Sequence, residues 1–157
     1  MATPQFVLDL RRSIGHAPLW MSGVTAIVLD ASRTRLLVVR RSDTGAWTPV
    51  TGIIDPGEEP ARAAVREVRE EAGIDAVPVR LVDVRTLPQT TYANGDQAQY
   101  LDLCFLLAHT GGEPHPADGE NTAARFAPLE DLPPMNDRFR EQLAIALSGE
   151  PETRFRA

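Results

Sequence analysis

Apolar and polar positions alternate along this chain in two rhythms, one of helix period and one of strand length. Residues 3 to 15 read as a short helix: Thr3 can cap it, Pro4 suits its first position, and Phe6, Leu10 and Ile14 share a face before Gly15 stops it. Ser22 to Asp30 is almost continuously apolar over a strand's length, as a strand buried on both faces would be. After the polar turn Ala31–Thr34, Leu36–Val39 flanked by arginines predicts a second strand over Arg35–Arg41. Pro49 and Gly52 interrupt Trp47–Asp55, which reads as short strands and loop.

Pro60 opens a helix expected to run to about Ala72, where Gly73 ends it. Val77–Leu87 reads as a strand and Pro88–Asp96 as a loop with a turn at Asn94-Gly95. Gln99–Leu107 alternates, with Leu101, Leu103, Phe105 and Leu107 on one face and Tyr100, Asp102, Cys104 and Leu106 on the other. Thr110–Asn121, rich in Gly, Pro and acids, predicts an exposed loop, and Thr122–Pro128 a last strand. A final helix over residues 135–148 follows Pro133-Pro134, with Phe139, Leu143, Ala146 and Leu147 on one face. Strands dominate the middle and helices occupy three places, with no repeat or domain boundary. The expectation is a single α/β domain over residues 1–157.

Composition narrows the functions open to such a domain. A net charge of −6 gives little counterion release on DNA or RNA, so non-specific nucleic-acid binding is not expected. An anionic substrate would then need a bound cation or a few placed arginines. No apolar run approaches a membrane span, and the first residues lack the pattern of a secretory signal. The single cysteine, Cys104, has no internal disulfide partner and no nearby histidine, which reads as a buried thiol in a cytoplasmic protein. His16, His109 and His115 show no metal-ligand spacing, and there is no Walker loop or nucleophile elbow.

The chemically informative stretch is Gly52 to Ile74. On a helical wheel Ala61, Ala64, Val65, Val68 and Ala72 form an apolar stripe, while Glu67, Glu70 and Glu71 cluster on another flank. Like charges at this spacing destabilise a helix by roughly a few tenths of a kcal/mol each. Interleaved Arg62, Arg66 and Arg69 would make an ordinary solvated face of them. Clustered carboxylates are also what a hard divalent cation requires, and upstream a loop from Thr51-Gly52 to Gly57 can bring backbone close to them.

This stretch resembles the box of the Nudix hydrolase family, G-x5-E-x7-R-E-U-x-E-E-x-G-U with U a bulky aliphatic residue. Gly52, Glu58, Arg66, Glu67, Val68, Glu70, Glu71, Gly73 and Ile74 fill every fixed position. A full match by chance in a chain this short is on the order of one in a million or rarer. The resemblance implies an α/β/α sandwich with a mixed, largely antiparallel sheet. It also implies Mg²⁺ or Mn²⁺ held by Glu67, Glu70, Glu71 and the Thr51 carbonyl. Arg66 would orient Glu67, and Glu58 would brace the loop, with Gly52, Gly57 and Gly73 serving its shape. The general base is implied to be Glu67 or an acid of the Thr110–Asn121 loop: Glu120 first, then Glu113 and Asp118. One departure is that the family's frequent Pro-Gly-Gly run is Val50-Thr51-Gly52 here, which bears on loop shape and substrate choice.

The implied reaction is metal-dependent attack of water on a diphosphate bond in a nucleoside diphosphate linked to another moiety, such as an NTP or ADP-ribose. A non-catalytic nucleotide-sensing module on the same scaffold is the alternative, though such modules typically lose box glutamates that this chain keeps. An isomerase would require extra metal-binding histidines. Arg40 and Arg41 are candidates to reach phosphates, and Trp47, Tyr92 and Tyr100 to stack on a base. The expected partner is a nucleotide-like small molecule, without a membrane, and a homodimer is left open.

Overall fold

The computed structural model describes residues 3–157. The first helix, α1 (Gln5–Ile14), starts after Pro4 with no side-chain cap, so Thr3 does not play the capping role expected of it. Gly15 ends the helix with a positive φ of 58°. Only Val7 of α1 is buried, against Met21 and Ala98, with Phe6 partly covered; Leu10 and Ile14 face outward. The predicted Phe6–Leu10–Ile14 face therefore splits, because α1 touches the sheet along a narrow line near its start.

The chain continues through β1 (Leu19–Leu29), β2 (Arg35–Arg41), β3 (Trp47–Thr48) and β4 (Val50–Ile53) to α2 (Pro60–Ala72). It then forms β5 (Asp75–Thr86), β6 (Thr90–Thr91), β7 (Gln97–Gly111), β8 (Asn121–Pro128), α3 (Asp137–Leu147) and β9 (Arg154–Phe155). All strands belong to one sheet whose main path runs β3-β2-β1-β7-β5-β9, with β4 on β1, β6 on β7 and β8 on β2. The β1–β7 and β5–β9 pairs are parallel and the others antiparallel, which is the mixed sheet expected. Thr51 and Gly52, read from sequence as loop, are strand residues, since Val50 to Ile53 pair in register with Ala26 to Gly23.

Helices cover both faces. The α2 side encloses Val24, Ala26, Val28, Leu37, Val39, Phe105 and Leu107 with Ala63, Ala64, Val68 and Ala72 of the helix. The α3 side encloses Ile27, Leu29, Leu36, Val38, Cys104 and Leu106 with Leu143 and Ala146. Burial on both faces explains why β1 and the middle of β7 are nearly all apolar. Burial also pushes the Cys104 thiol well above its ordinary range, so it packs as a protonated group.

Asn136 caps α3, its side-chain oxygen accepting from the Arg138 backbone N–H at 2.9 Å. The short β9 has no hydrophobic pattern to announce it. It is held by tertiary polar contacts: Arg156 Nη1 donates to the buried Asp83 carboxylate at 2.9 Å, and Thr153 Oγ1 to the Leu81 carbonyl at 2.9 Å. Among the described residues no helix is long and apolar enough to cross a membrane.

Candidate functional site

Helix α2 carries the acidic cluster, and its orientation separates the three glutamates. Glu67 and Glu71 lie on the buried face with Ala63, Ala64, Val68 and Ala72, each only 1% exposed, while the Glu70 side chain is 52% exposed. The apolar stripe thus shifts: Ala61 and Val65 are partly covered, and two carboxylates occupy positions that core packing would ordinarily fill with apolar groups.

Space for them comes from neighbouring elements. At Gly52 any Cβ would lie 2.2 Å from the Glu67 carboxyl carbon, so β4 can pass this close only as glycine. At the end of α2, Gly73 takes a left-handed φ of 66°, and a Cβ there would also meet the His115 ring at 2.1 Å. The box glycines therefore serve contacts as well as turns. Gly57, at φ 82°, has open space around it and serves the turn alone.

Arg66 organises the cluster with all five of its N–H groups. Its Nε and Nη2 donate to the two oxygens of Glu58 at 2.8 Å each, and Nη2 also to the Ile53 carbonyl at 3.1 Å. Its Nη1 donates to Glu67 Oε1 at 2.7 Å and to Glu70 Oε2 at 3.1 Å. Glu58 also accepts from the Asp55 backbone N–H at 3.2 Å, which braces the turn before α2. Arg66 holds Glu58 below its usual carboxylate range. A guanidinium so fully engaged anchors Glu67 and has no donor left for a ligand.

Glu67 and Glu71 each keep one oxygen without a partner. Burial raises the Glu67 carboxyl to about 7, against the pull of Arg66 and with help from Glu71 and Glu70. Burial also raises Glu71, whose Oε2 accepts from Asn121 Nδ2 at 3.0 Å. Glu67 Oε2 and Glu71 Oε1 are buried with no hydrogen-bond partner among the described residues. Undonated carboxylate oxygens in such a place are costly unless something cationic meets them. Hard oxygen donors of this kind fit Mg²⁺ or Mn²⁺. With Glu70 turned to solvent, no three acidic, histidine or cysteine side chains among the described residues converge on one point by themselves.

The segment over residues 112–120 runs along the C-terminal end of α2. The His115 and Ala117 backbone N–H groups donate to the Ala72 and Glu71 carbonyls at 3.1 and 3.3 Å. Asp118 is close enough to push the Glu71 carboxyl up. Glu120 directly precedes Asn121, and its carbonyl accepts from Ser42, by the backbone N–H at 2.8 Å and Oγ at 2.6 Å. Of the acids of this loop, Asp118 thus stands near the buried carboxylate of Glu71.

A cavity of about 620 Å³ lies beside β4, lined among others by Arg41, Thr51, Gly52, Tyr92, Tyr100, Asp102 and Arg138. Its size suits a nucleotide-like ligand. Gly52 links the cavity and the Glu67 carboxylate, since its backbone lines one and its missing side chain admits the other. Arg41 lines the cavity, feels the charge of Glu71, and pairs with Asp43 at 3.0 Å, holding that carboxyl down to about 2. Tyr92 and Tyr100 share a 2.8 Å hydroxyl contact at the wall.

Arg40 and Trp47 are elsewhere. Arg40 alternates away from Arg41 on β2 and donates to the Gly45 carbonyl at 3.2 Å, while Trp47 packs on the α3-side core beneath the Arg125 guanidinium. Three polar residues escaped the sequence reading: Asn121, Asp102 and Arg138. Asp102 had a signal, an acid at a position whose strand neighbours Cys104 and Leu106 are core. Asn121 and Arg138 had none.

A family model described as NUDIX domain matches residues 20–147. The chain is similar, at 35% identity over 105 residues, to a Bacillus subtilis (strain 168) protein provisionally named an 8-oxo-dGTP diphosphatase; the match takes in 67% of this chain and 64% of that one. It is 30% identical over 135 residues to an 8-oxo-dGDP phosphatase of Mus musculus, across 83% of this chain and 37% of that one. The chain therefore spans less than two thirds of the length of either relative. Among solved structures, an ADP-ribose pyrophosphatase from Streptococcus suis 89-1591 superposes with a TM-score of 0.66 at 27% identity, over 87% of this chain and 98% of that one.

Proposed function

Because this chain belongs to the NUDIX domain family, we propose that it hydrolyses a diphosphate bond in a nucleoside diphosphate linked to a further group, with a divalent cation held by Glu67, Glu70, Glu71 and the Thr51 carbonyl. The observation that carries this reading is the pair of buried carboxylate oxygens on Glu67 and Glu71 that no donor meets among the described residues, with the Gly52 backbone between the Glu67 carboxyl and a nucleotide-sized cavity. When bound there, Mg²⁺ or Mn²⁺ would supply charge neutralisation for the diphosphate and acidify an attacking water.

The chain's own residues do the rest. Arg66 and Glu58 fix the Glu67 carboxylate through one saturated guanidinium, so that Oε2 remains the accepting atom. Glu67, whose carboxylate Arg66 holds in one orientation, is the first candidate to take a proton from the attacking water. The loop acid Glu120, with Asp118 and Glu113 as weaker choices, is the second candidate base, supported by the course of residues 112–120 beside Glu71. Asn121 positions Glu71. Arg41, between cavity and Glu71, is placed to meet phosphate oxygens, whereas Arg40 and Trp47 are not. Tyr92 and Tyr100 form an apolar wall with a polar rim, suited to a ribose or base.

The test is a panel of nucleoside triphosphates, ADP-ribose and other diphosphate derivatives with Mg²⁺, reading phosphate after coupled phosphatase, with Glu71→Gln alongside. The expected result is turnover of at least one compound, abolished by EDTA and lowered on the order of 100-fold or more in the variant. Metal-dependent binding without turnover would instead establish a sensor. A variant as active as the parent would remove the metal assignment.

A further inference from the structure

The wall of the cavity away from β4 carries a built polar pair that the hydrolytic reaction does not use. Asp102, on β7, is 3% exposed. Its Oδ1 accepts from Thr25 Oγ1 at 2.8 Å, and its Oδ2 from Gln142 Nε2 at 2.7 Å and Arg138 Nη1 at 3.2 Å. Arg138 Nη1 also donates to Thr25 Oγ1 at 3.3 Å, and its guanidinium stacks over the Phe139 ring at 4.1 Å. Three elements thus hold this arginine in one orientation. Its Nε and Nη2 have no partner among the described residues, although the side chain is only 24% exposed and lines the cavity. A fixed, charge-compensated guanidinium with a free two-donor edge is a directional reader more than a phosphate clamp.

The sheet register sets the distance to the reaction site. Ile53 of β4 pairs with Gly23 of β1, and Gly23 pairs with Asp102. Asp102 is thus two strand spacings, roughly 10 Å, from the β4 backbone. A nucleotide separates its phosphates from the far edge of its base by a comparable length. Gly23 leaves the floor between the two ends without a side chain, and Tyr100 flanks it.

Resting on the reading that a nucleotide fills this cavity, we propose that Arg138, held by Asp102, selects the base, favouring 6-oxopurines over bases that present an amino group at that edge. The two adjacent acceptors of a 6-oxopurine, O6 and N7, match two guanidinium donors, whereas the amino group of adenine sets donor against donor. Arg138 is the contact residue and Asp102 a positioning residue.

The experiment compares kcat/KM for guanosine, inosine and adenosine triphosphates, and binding of GMP, IMP and AMP by calorimetry, in the parent, Arg138→Gln and Asp102→Asn. The parent is expected to favour the two 6-oxopurines on the order of 10- to 100-fold in both measurements. Arg138→Gln should bring the ratio near unity, since an amide can turn either its donor or its acceptor to the base. Asp102→Asn should narrow it as well, a change that mere destabilisation would not produce. Equal binding of GMP and AMP by the parent overturns the proposal, as does a ratio unchanged in Arg138→Gln. Monophosphate binding needs no catalysis, so selective binding by a protein that hydrolyses nothing would overturn the hydrolase reading while leaving this one standing.

Discussion

Glu67→Gln removes a buried charge while keeping the size of the side chain and an oxygen for Arg66 Nη1. The native carboxyl lies at about 7 against an ordinary 4.5, desolvation outweighing the attraction of Arg66. The native state therefore binds this proton more tightly than the unfolded chain does. Glu67 costs the metal-free protein least when it is protonated, and stability falls as pH rises from the ordinary value through about 7. A shift of this size corresponds to about 3 kcal/mol near pH 8 and under about 1 kcal/mol near pH 5, at roughly 1.4 kcal/mol per unit. With a side chain 1% exposed, solvent screening takes little from that figure.

Thermal unfolding in EDTA should then show Glu67→Gln melting about 6–12 °C above the parent near pH 8, at roughly 2–4 °C per kcal/mol for a domain of this size, with the gap largely closed near pH 5. Turnover should be lost in the same variant, making it a more stable and inactive protein, as a site that trades stability for function would give. A variant that melts at or below the parent near pH 8 in EDTA would refute the reasoning, because it would mean that the carboxylate carries no burial cost.

Two further substitutions probe the same site from its neighbours. Gly52→Ala places a methyl 2.2 Å from the Glu67 carboxyl carbon and should destabilise by about 1–3 kcal/mol, with activity falling alongside; differential scanning calorimetry and kcat check both, and unchanged values would deny the close approach. Asn121→Ala removes the amide donor to Glu71 Oε2 and should cost about 1–3 kcal/mol near neutral pH in EDTA, measured by urea unfolding. Because burial already holds the Glu71 carboxyl high, that penalty should shrink on acidification, and a pH-independent loss would point to packing instead.

Elements with a repeating apolar pattern were legible, and so were the fixed positions of the box. The strand over Arg35–Arg41 and the helix from Pro60 to Ala72 have the bounds their periodicity and flanking residues predict. Thr51-Gly52 was harder, because a strand of four residues between a proline and a loop leaves no period to read, and its pairing with β1 decides it. The exposed Leu10 and the strand at Arg154–Phe155 misled or escaped for the same reason: what lies opposite them is set by distant chain. Arg40 and Arg41 are equivalent in sequence and part company only because adjacent strand residues face opposite sides of the sheet.

By itself the sequence determined the family, the α/β class and the identity of the acidic cluster, since these depend on local spacing along one helix and its flanking turns. The tertiary structure alone decided that Glu67 and Glu71 are buried while Glu70 is not, because helix rotation is set by how Gly52 and the sheet receive α2. It also decided that Asn121 meets Glu71 and that Asp102 meets Arg138, residues 50 and 36 positions apart. A hydrogen bond across that separation leaves no trace in local periodicity; the first exists only once β8 has paired with β2 beside α2, and the second only once α3 has docked on the sheet that carries β7.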